Sequence, residues 1–384
     1  MDRFDRGEHE FRGLIGAEPQ DTLAELRLRS PQMYDLIIRG MGVTMAQAEL
    51  SRTAREIATV AMLVTIGAAD PQLDLHTRAA LNQGVTPAEL IALCEHVAMY
   101  AGVPRALNGL AVIDRVLADE GFPRPAALRR VRLTDHETFV AQRGAEGPPV
   151  VLVHAIGLDW RMWEPVMAEL ADTRRVFAYD VRGHGLAMGA PAARTTGDLA
   201  DDLVKVLDEL ALDRAHVVGL SFGGAVAQAT AVAYPERIAS LALLGTTDQP
   251  AEDLFESRAR AAEKDGMAAQ VPATLPRWFT TEALAVNGWG VQYARERLLR
   301  GNVADWAASW RVFKTLDVQG KLGSFPAPAL VVAGSVDVAG PPEAMRGLAG
   351  RIAGARFEEL PGTPHMMSLE RPELVARVLG DFIE

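Results

Sequence analysis

Apolar residues in the first third of the chain recur at helical spacing. Ile57, Val60, Ala61 and Val64 fall three or four apart, which predicts a helix from near Ser51 to Ile66, ended by Gly67. A second helix is predicted from about Pro71 to Gln83, ended by Gly84. The third opens at Thr86-Pro-Ala-Glu89, a capping box with proline at its first position, and runs to Ala101-Gly102. A fourth covers about Arg105 to Asp119. Helical character begins upstream at Ser30-Pro31, and residues 1–29 are charged with few placement signals. No stretch here alternates as a strand does, so residues 1–122 are expected to form an all-α domain.

The period changes after Gly121-Phe-Pro123-Arg-Pro125, a break with no helical continuation. Residues 123–130 read as a linker and 131–384 as a second domain, in which strands alternate with helices around a mostly parallel sheet. The strands are Pro149–Val153, Arg175–Tyr179, the run ending at Leu220, Leu241–Leu244 and Ala329–Ala333; the last helix covers Pro372–Phe382. Between them, residues 247 to about 315 are helical, rich in Ala and Arg, and carry Trp278, Trp289, Trp306 and Trp310. This segment reads as a cap laid over the sheet, its tryptophans packing in the core or lining a pocket.

Composition narrows the chemistry. At 384 residues, 49% hydrophobic and 23% charged, the chain has material for two or three globular domains. A net charge of -11 argues against nucleic acid or an anionic membrane surface as partner, and an anionic substrate needs local arginines. A single cysteine forms no internal disulfide and suits a reducing compartment; with no apolar leader or membrane-length run, a cytoplasmic location is expected. Cys94 sits at helical spacing with Leu90, Val97 and Ala101, as a core residue does. No metal or cofactor is called for.

The most informative stretch is His216-Val-Val-Gly-Leu-Ser221-Phe-Gly223-Gly224. A β-branched run, a G-x-S-x-G and an Ala-rich helical segment together make a nucleophile elbow, with Ser221 raised above the sheet edge and the Phe222 amide at a helix N-terminus. The layout resembles the α/β-hydrolases. By that resemblance His154-Ala-Ile156-Gly157 fills the H-G-x-G position, so the amides of Ile156 and Phe222 form an oxyanion hole. Asp337 and His365 follow the serine in the order Ser, Asp, His, with Asp248 as the rival acid. Asp180, His184 and His154 are read as structural or orienting residues.

The helical domain has its own resemblance. Arg52-x-x-Arg55-Glu56-Ile, Leu75-His76-Thr-Arg78-Ala-Ala-Leu-Asn82-x-Gly84 and His96-Val-Ala-Met-Tyr100-Ala-Gly102-Val-Pro104 resemble the carboxymuconolactone decarboxylase family. The alkyl-hydroperoxidase-D-like branch of that family has a C-x-x-C where Ala69 and Gln72 stand, so dithiol peroxidase chemistry is excluded. What the resemblance implies is a cofactor-free decarboxylation. Arg78 holds a carboxylate bidentately with His96 on the substrate side, while His76 and Glu56 deliver a proton to the carbanion left by CO2. Plainer readings stay open: Glu56 closing a capping box with Thr53, His76 as a surface histidine, and His96 paired with a neighbouring carboxylate.

Within the α/β-hydrolases, Gly219-Leu-Ser-x-Gly-Gly224, Tyr234-Pro-Glu-Arg237 and the cap segment Ala273-Thr-Leu-Pro-Arg277-Trp278-Phe-Thr resemble the 3-oxoadipate enol-lactonases. Their substrate is a small lactone with a carboxylate tail, so Arg277 and Trp278 are candidate substrate-binding residues. The two resemblances imply consecutive reactions, the decarboxylase making the enol-lactone that the lactonase opens. Two other readings stand beside this one: an inert helical assembly module joined to one hydrolase, and a hydrolase for another ester, lactone or thioester. The family resemblance also implies a homo-oligomer through the helical domain, a trimer or a multiple of three.

Overall fold

The computed structural model describes residues 2–17, 19–45, 47, 49–120, 126–249 and 251–383, and the chain divides into two units, residues 1–125 and 126–384. The Gly121–Pro125 break lies outside the described residues.

In the first unit the four expected helices span Arg52–Ile66, Asp70–Asn82, Pro87–Ala101 and Val103–Asp119. Ser51 caps the first by accepting from the Ala54 N–H, and the Thr86–Glu89 capping box closes at the start of the third. They enclose a core of Val60, Val64, Leu73, Leu90, Cys94 and Ile113. Burial drives the Cys94 thiol up to about 11, followed by the nearby Asp114 and Glu95 charges, so it stays an unreactive thiol.

Ordered helices also occupy the first thirty residues. Arg3–Ile15 begins at a capping box in which Asp2 accepts from the Phe4 and Asp5 N–H groups and Asp5 accepts from the Asp2 N–H. The signal was in the sequence, hidden because aspartate stands at the position where glutamate or glutamine is expected. This helix packs on Pro31–Thr44 through Phe11, Tyr34 and Ile38. Ser30 precedes that second helix without capping it.

The second unit is built on one sheet of eight strands. These are β1 (Ala127–Arg132), β2 (Glu137–Arg143), β3 (Pro149–Val153), β4 (Arg175–Tyr179), β5 (Ala215–Leu220), β6 (Ile238–Leu244), β7 (Ala329–Gly334) and β8 (Arg356–Leu360). Their order is β1-β2-β4-β3-β5-β6-β7-β8; β2 pairs antiparallel with both β1 and β4, and the pairs from β4 through β3 to β8 are parallel. Residues 127–130, read from sequence as linker, therefore belong to β1, where Ala127 to Arg130 face Gln142 to Phe139. β1 is an edge strand whose residues are exposed except Val131, so it lacks an apolar signature.

The central strands carry that signature strongly. Val150 to Val153 are fully buried, covered by helices on both faces. The cap consists of Glu252–Trp278, bent at Gly266, and the helices Thr281–Val286, Trp289–Arg300 and Val303–Phe313. Among the described residues no helix is long and apolar enough to cross a membrane.

Candidate active site

β5 ends at Leu220, Ser221 follows, and the next helix starts at Phe222. Ser221 adopts φ 55° and ψ −116°, a strained conformation for a residue with a side chain. Two hydrogen bonds hold it there: its N–H donates to Leu244 O at 2.9 Å, and its carbonyl accepts from Thr246 Oγ1 at 2.7 Å. The turn is possible only with glycine beside it. A Cβ on Gly219 would collide with the Gly223 carbonyl, and one on Gly223 with the Val153 carbonyl at the end of β3. As the first residue of its helix, Phe222 has an N–H with no intrahelical acceptor.

The candidate acid, Asp337, and candidate base, His365, follow the ends of β7 and β8. His365 Nδ1 lies 2.8 Å from Asp337 Oδ2, both side chains buried. The other oxygen, Asp337 Oδ1, accepts from the N–H groups of Ala339 at 2.7 Å and Gly340 at 2.8 Å. Burial works to raise this carboxyl, but the His365 charge and hydrogen bond and the two N–H donors outweigh it, leaving Asp337 below the usual carboxylate range. In the tautomer that donates Nδ1–H to this carboxylate, His365 presents Nε2 as a hydrogen-bond acceptor. Asp248, the rival acid, is instead held bidentately by Arg351 at 2.6 and 2.7 Å.

Ser221, His365 and Ile156 line one cavity with Arg277 and Trp278 of the cap. Trp278 is tied to the histidine loop, its carbonyl accepting from the Met366 N–H at 2.9 Å. Arg277 is half-buried; its Nε donates to Ala273 O at 2.9 Å and Nη2 to Thr274 Oγ1 at 3.5 Å. Trp310, Phe313, Phe255 and Arg258 complete the wall. Arg258 was invisible to sequence reasoning, because nothing distinguishes it from the other arginines of an Ala/Arg-rich run.

His154 and Asp180 support the loops. His154 is fully buried; its Nδ1 bonds Ala155 O at 2.8 Å and its Nε2 accepts from the Val181 N–H at 2.9 Å. Burial, with His184 second, pushes it down to about 3, so it stays neutral and clamps the end of β3 to the loop after β4. Asp180 accepts from the Trp160 and Leu186 N–H groups at 3.0 and 2.8 Å, with burial and then Asp159 raising it to about 7.

In the helical unit, Glu56 is fully buried and His76 Nδ1 lies 2.9 Å from its Oε2. Glu56 Oε1 has no partner among the described residues. The capping-box reading of Glu56 fails, since Ser51 caps this helix and Thr53 donates to Gln83 O. The other two sequence candidates stand apart from the pair. Arg78 is engaged by Asp74, Asp119 and Glu120, and the hydrogen bonds of Asp74 first and Glu120 second raise it further above its ordinary value, so its fork is not open for a substrate carboxylate. His96 is exposed, its ring 5.0 Å from that of Tyr100. Of the acids that neutralise Arg78, only Asp74 stands at helical spacing from it; Asp119 and Glu120 lie on or beside a later helix and come near only in the fold.

The sheet order, the elbow and the buried His–Asp pair define an α/β-hydrolase in the second unit. Residues 148–372 match the alpha/beta hydrolase fold family, and the chain belongs to it. Residues 31–115, within the helical unit, match the carboxymuconolactone decarboxylase family. Similar to this chain is 3-oxoadipate enol-lactonase 1 of Acinetobacter baylyi, 29% identical over 238 residues, spanning 62% of this chain and 89% of that protein. The crystal structure of the enol-lactonase from Burkholderia xenovorans superposes with a TM-score of 0.64 at 30% identity, over 66% of this chain and 99% of that one. A thermophilic esterase from Thermogutta terrifontis follows with a TM-score of 0.62 at 29% identity, over 67% and 97%.

Proposed function

We propose that the second unit hydrolyses a small lactone, best matched by 3-oxoadipate enol-lactone, with Ser221 as nucleophile. The observation that carries this reading is the 2.8 Å contact with Asp337 made by buried His365, which lines the same cavity as the strained Ser221. His365 Nε2 takes the Ser221 Oγ proton as Oγ attacks the lactone carbonyl, and the Ile156 and Phe222 amides stabilise the oxyanion. The ring C–O bond breaks, the freed enolate takes the proton and becomes a ketone, and water then cleaves the acyl-serine ester. Arg277 and Trp278 form part of the substrate-binding roof. The likeness to two enol-lactonases supports the substrate. Ser221→Ala tests it: turnover of the lactone should fall on the order of a millionfold in folded protein, and near-normal turnover sinks the assignment.

For the helical unit we propose proton delivery by His76, held by Glu56, during decarboxylation of 4-carboxymuconolactone. A buried carboxylate with one unpartnered oxygen, bonded to a partly exposed histidine, supports this. The engagement of Arg78 favours a second reading, an assembly module without chemistry. That reading has its own support in the exposed Met62, Ile66, Met99, Tyr100, Val103 and Leu107, an apolar set on three helices that a second copy of the chain would cover. CO2 release from carboxymuconolactone separates the two.

A further inference from the structure

On the first cap helix the acids Glu256 and Glu263 gather the nearby cations. Glu256 accepts from Arg260 of the same helix and from Arg311 and Lys314 at the end of the last cap helix, and Arg311 also reaches Glu263. Arg258, on the first cap helix, makes no ion pair among the described residues. Its guanidinium lies over the Trp310 ring, 4.6 Å from the centroid, and its side chain lines the cavity of Ser221 and His365. Burial, with Arg277 second, pushes it down to about 10, the mark of a charge without an acid to compensate it. Arg277 differs, since two of its donors are already taken by Ala273 O and Thr274 Oγ1 on its own helix.

A half-buried cation with unused donors is costly unless an anion joins it. A guanidinium resting on an aromatic face keeps its N–H edges for a ligand, and its planar fork fits a carboxylate bidentately. We infer that Arg258 is the carboxylate anchor of this cavity, ahead of Arg277, and that the site selects a lactone or ester carrying a free carboxylate. The inference deepens the hydrolase reading, on which it rests for the position of the scissile bond at Ser221.

The test compares p-nitrophenyl hydrogen glutarate with p-nitrophenyl pentanoate on the full chain. The wild type should favour the carboxylate ester. In Arg258→Met the ratio of the two kcat/KM values should fall roughly 10- to 100-fold, as loss of a charge-assisted contact requires. Arg277→Met should lower the ratio less, and Arg258→Lys, which keeps charge but not the fork, should fall between Arg258→Met and wild type. Calorimetric titration of glutarate supplies a readout without turnover: the wild type should bind it, and Arg258→Met at least about tenfold more weakly. A wild type that does not favour the carboxylate ester, a ratio that moves less than about threefold, equal glutarate affinities, or a larger effect at Arg277 overturns the inference. Absence of any wild-type hydrolysis would fall on the hydrolase reading instead, and the titration would still decide the role of Arg258.

Discussion

Replacing Asp337 with asparagine isolates what the acid contributes. Asp337 Oδ1 accepts from two backbone N–H groups, Ala339 and Gly340, so the amide oxygen of an asparagine must stay there. Its NH2 then occupies the Oδ2 position, facing His365 Nδ1 at hydrogen-bond distance. Two donors cannot face each other, so the imidazole moves its proton to Nε2 and loses the acceptor it offers to Ser221. A base in the wrong tautomer costs about 10,000-fold in kcat, or about 5 kcal/mol of barrier. The assay is hydrolysis of p-nitrophenyl pentanoate by the purified full chain, with circular dichroism to confirm folding. Asp248→Asn is the control. It weakens a pair with a partly exposed arginine, worth roughly 1 kcal/mol after allowance for solvent, and should leave kcat/KM within about threefold. Folded Asp337→Asn that keeps more than a tenth of wild-type kcat/KM, or a greater loss in Asp248→Asn, would refute the assignment of the acid.

His76→Ala should stop CO2 release from carboxymuconolactone without slowing hydrolysis of supplied enol-lactone, since His76 and Ser221 lie in different units; equal loss of both activities would contradict this. Asp135 is held down to about 2 by hydrogen bonds from Arg182 first and His136 second. A folded-state pKa below the unfolded one gives stability that is present above the usual carboxylate range and lost as pH falls through about 2. The difference in Tm between wild type and Asp135→Asn should therefore narrow as pH drops from about 5 towards 2, and a constant gap would remove the pair from the acid response. Met99→Glu with Tyr100→Glu should shift the full chain to smaller species in light scattering if a second copy covers that face; a wild type that is already monomeric excludes the assembly.

The parts of this protein visible in its sequence are those where one local pattern has one physical solution. An apolar run bounded by turn residues, such as Pro149–Val153, can only be a buried strand between helices, and Gly219-x-Ser221-x-Gly223 leaves room for a single kind of turn. Thr86-x-x-Glu89 names a helix start for the same reason. The weakly patterned pieces were lost: β1 is an exposed edge strand stabilised by pairing with β2, and the N-terminal helix opens on an aspartate–aspartate box. Charge pairing between elements was out of reach. Arg78, Arg258 and Asp248 are ordinary residues in sequence, and only the folded chain decides which of them meets an opposite charge. Arg78 meets three acids and Asp248 meets Arg351, while Arg258 lines the cavity with none among the described residues. Electrostatic partners are set by distance across elements far apart in the chain, and that information exists only once the elements have packed.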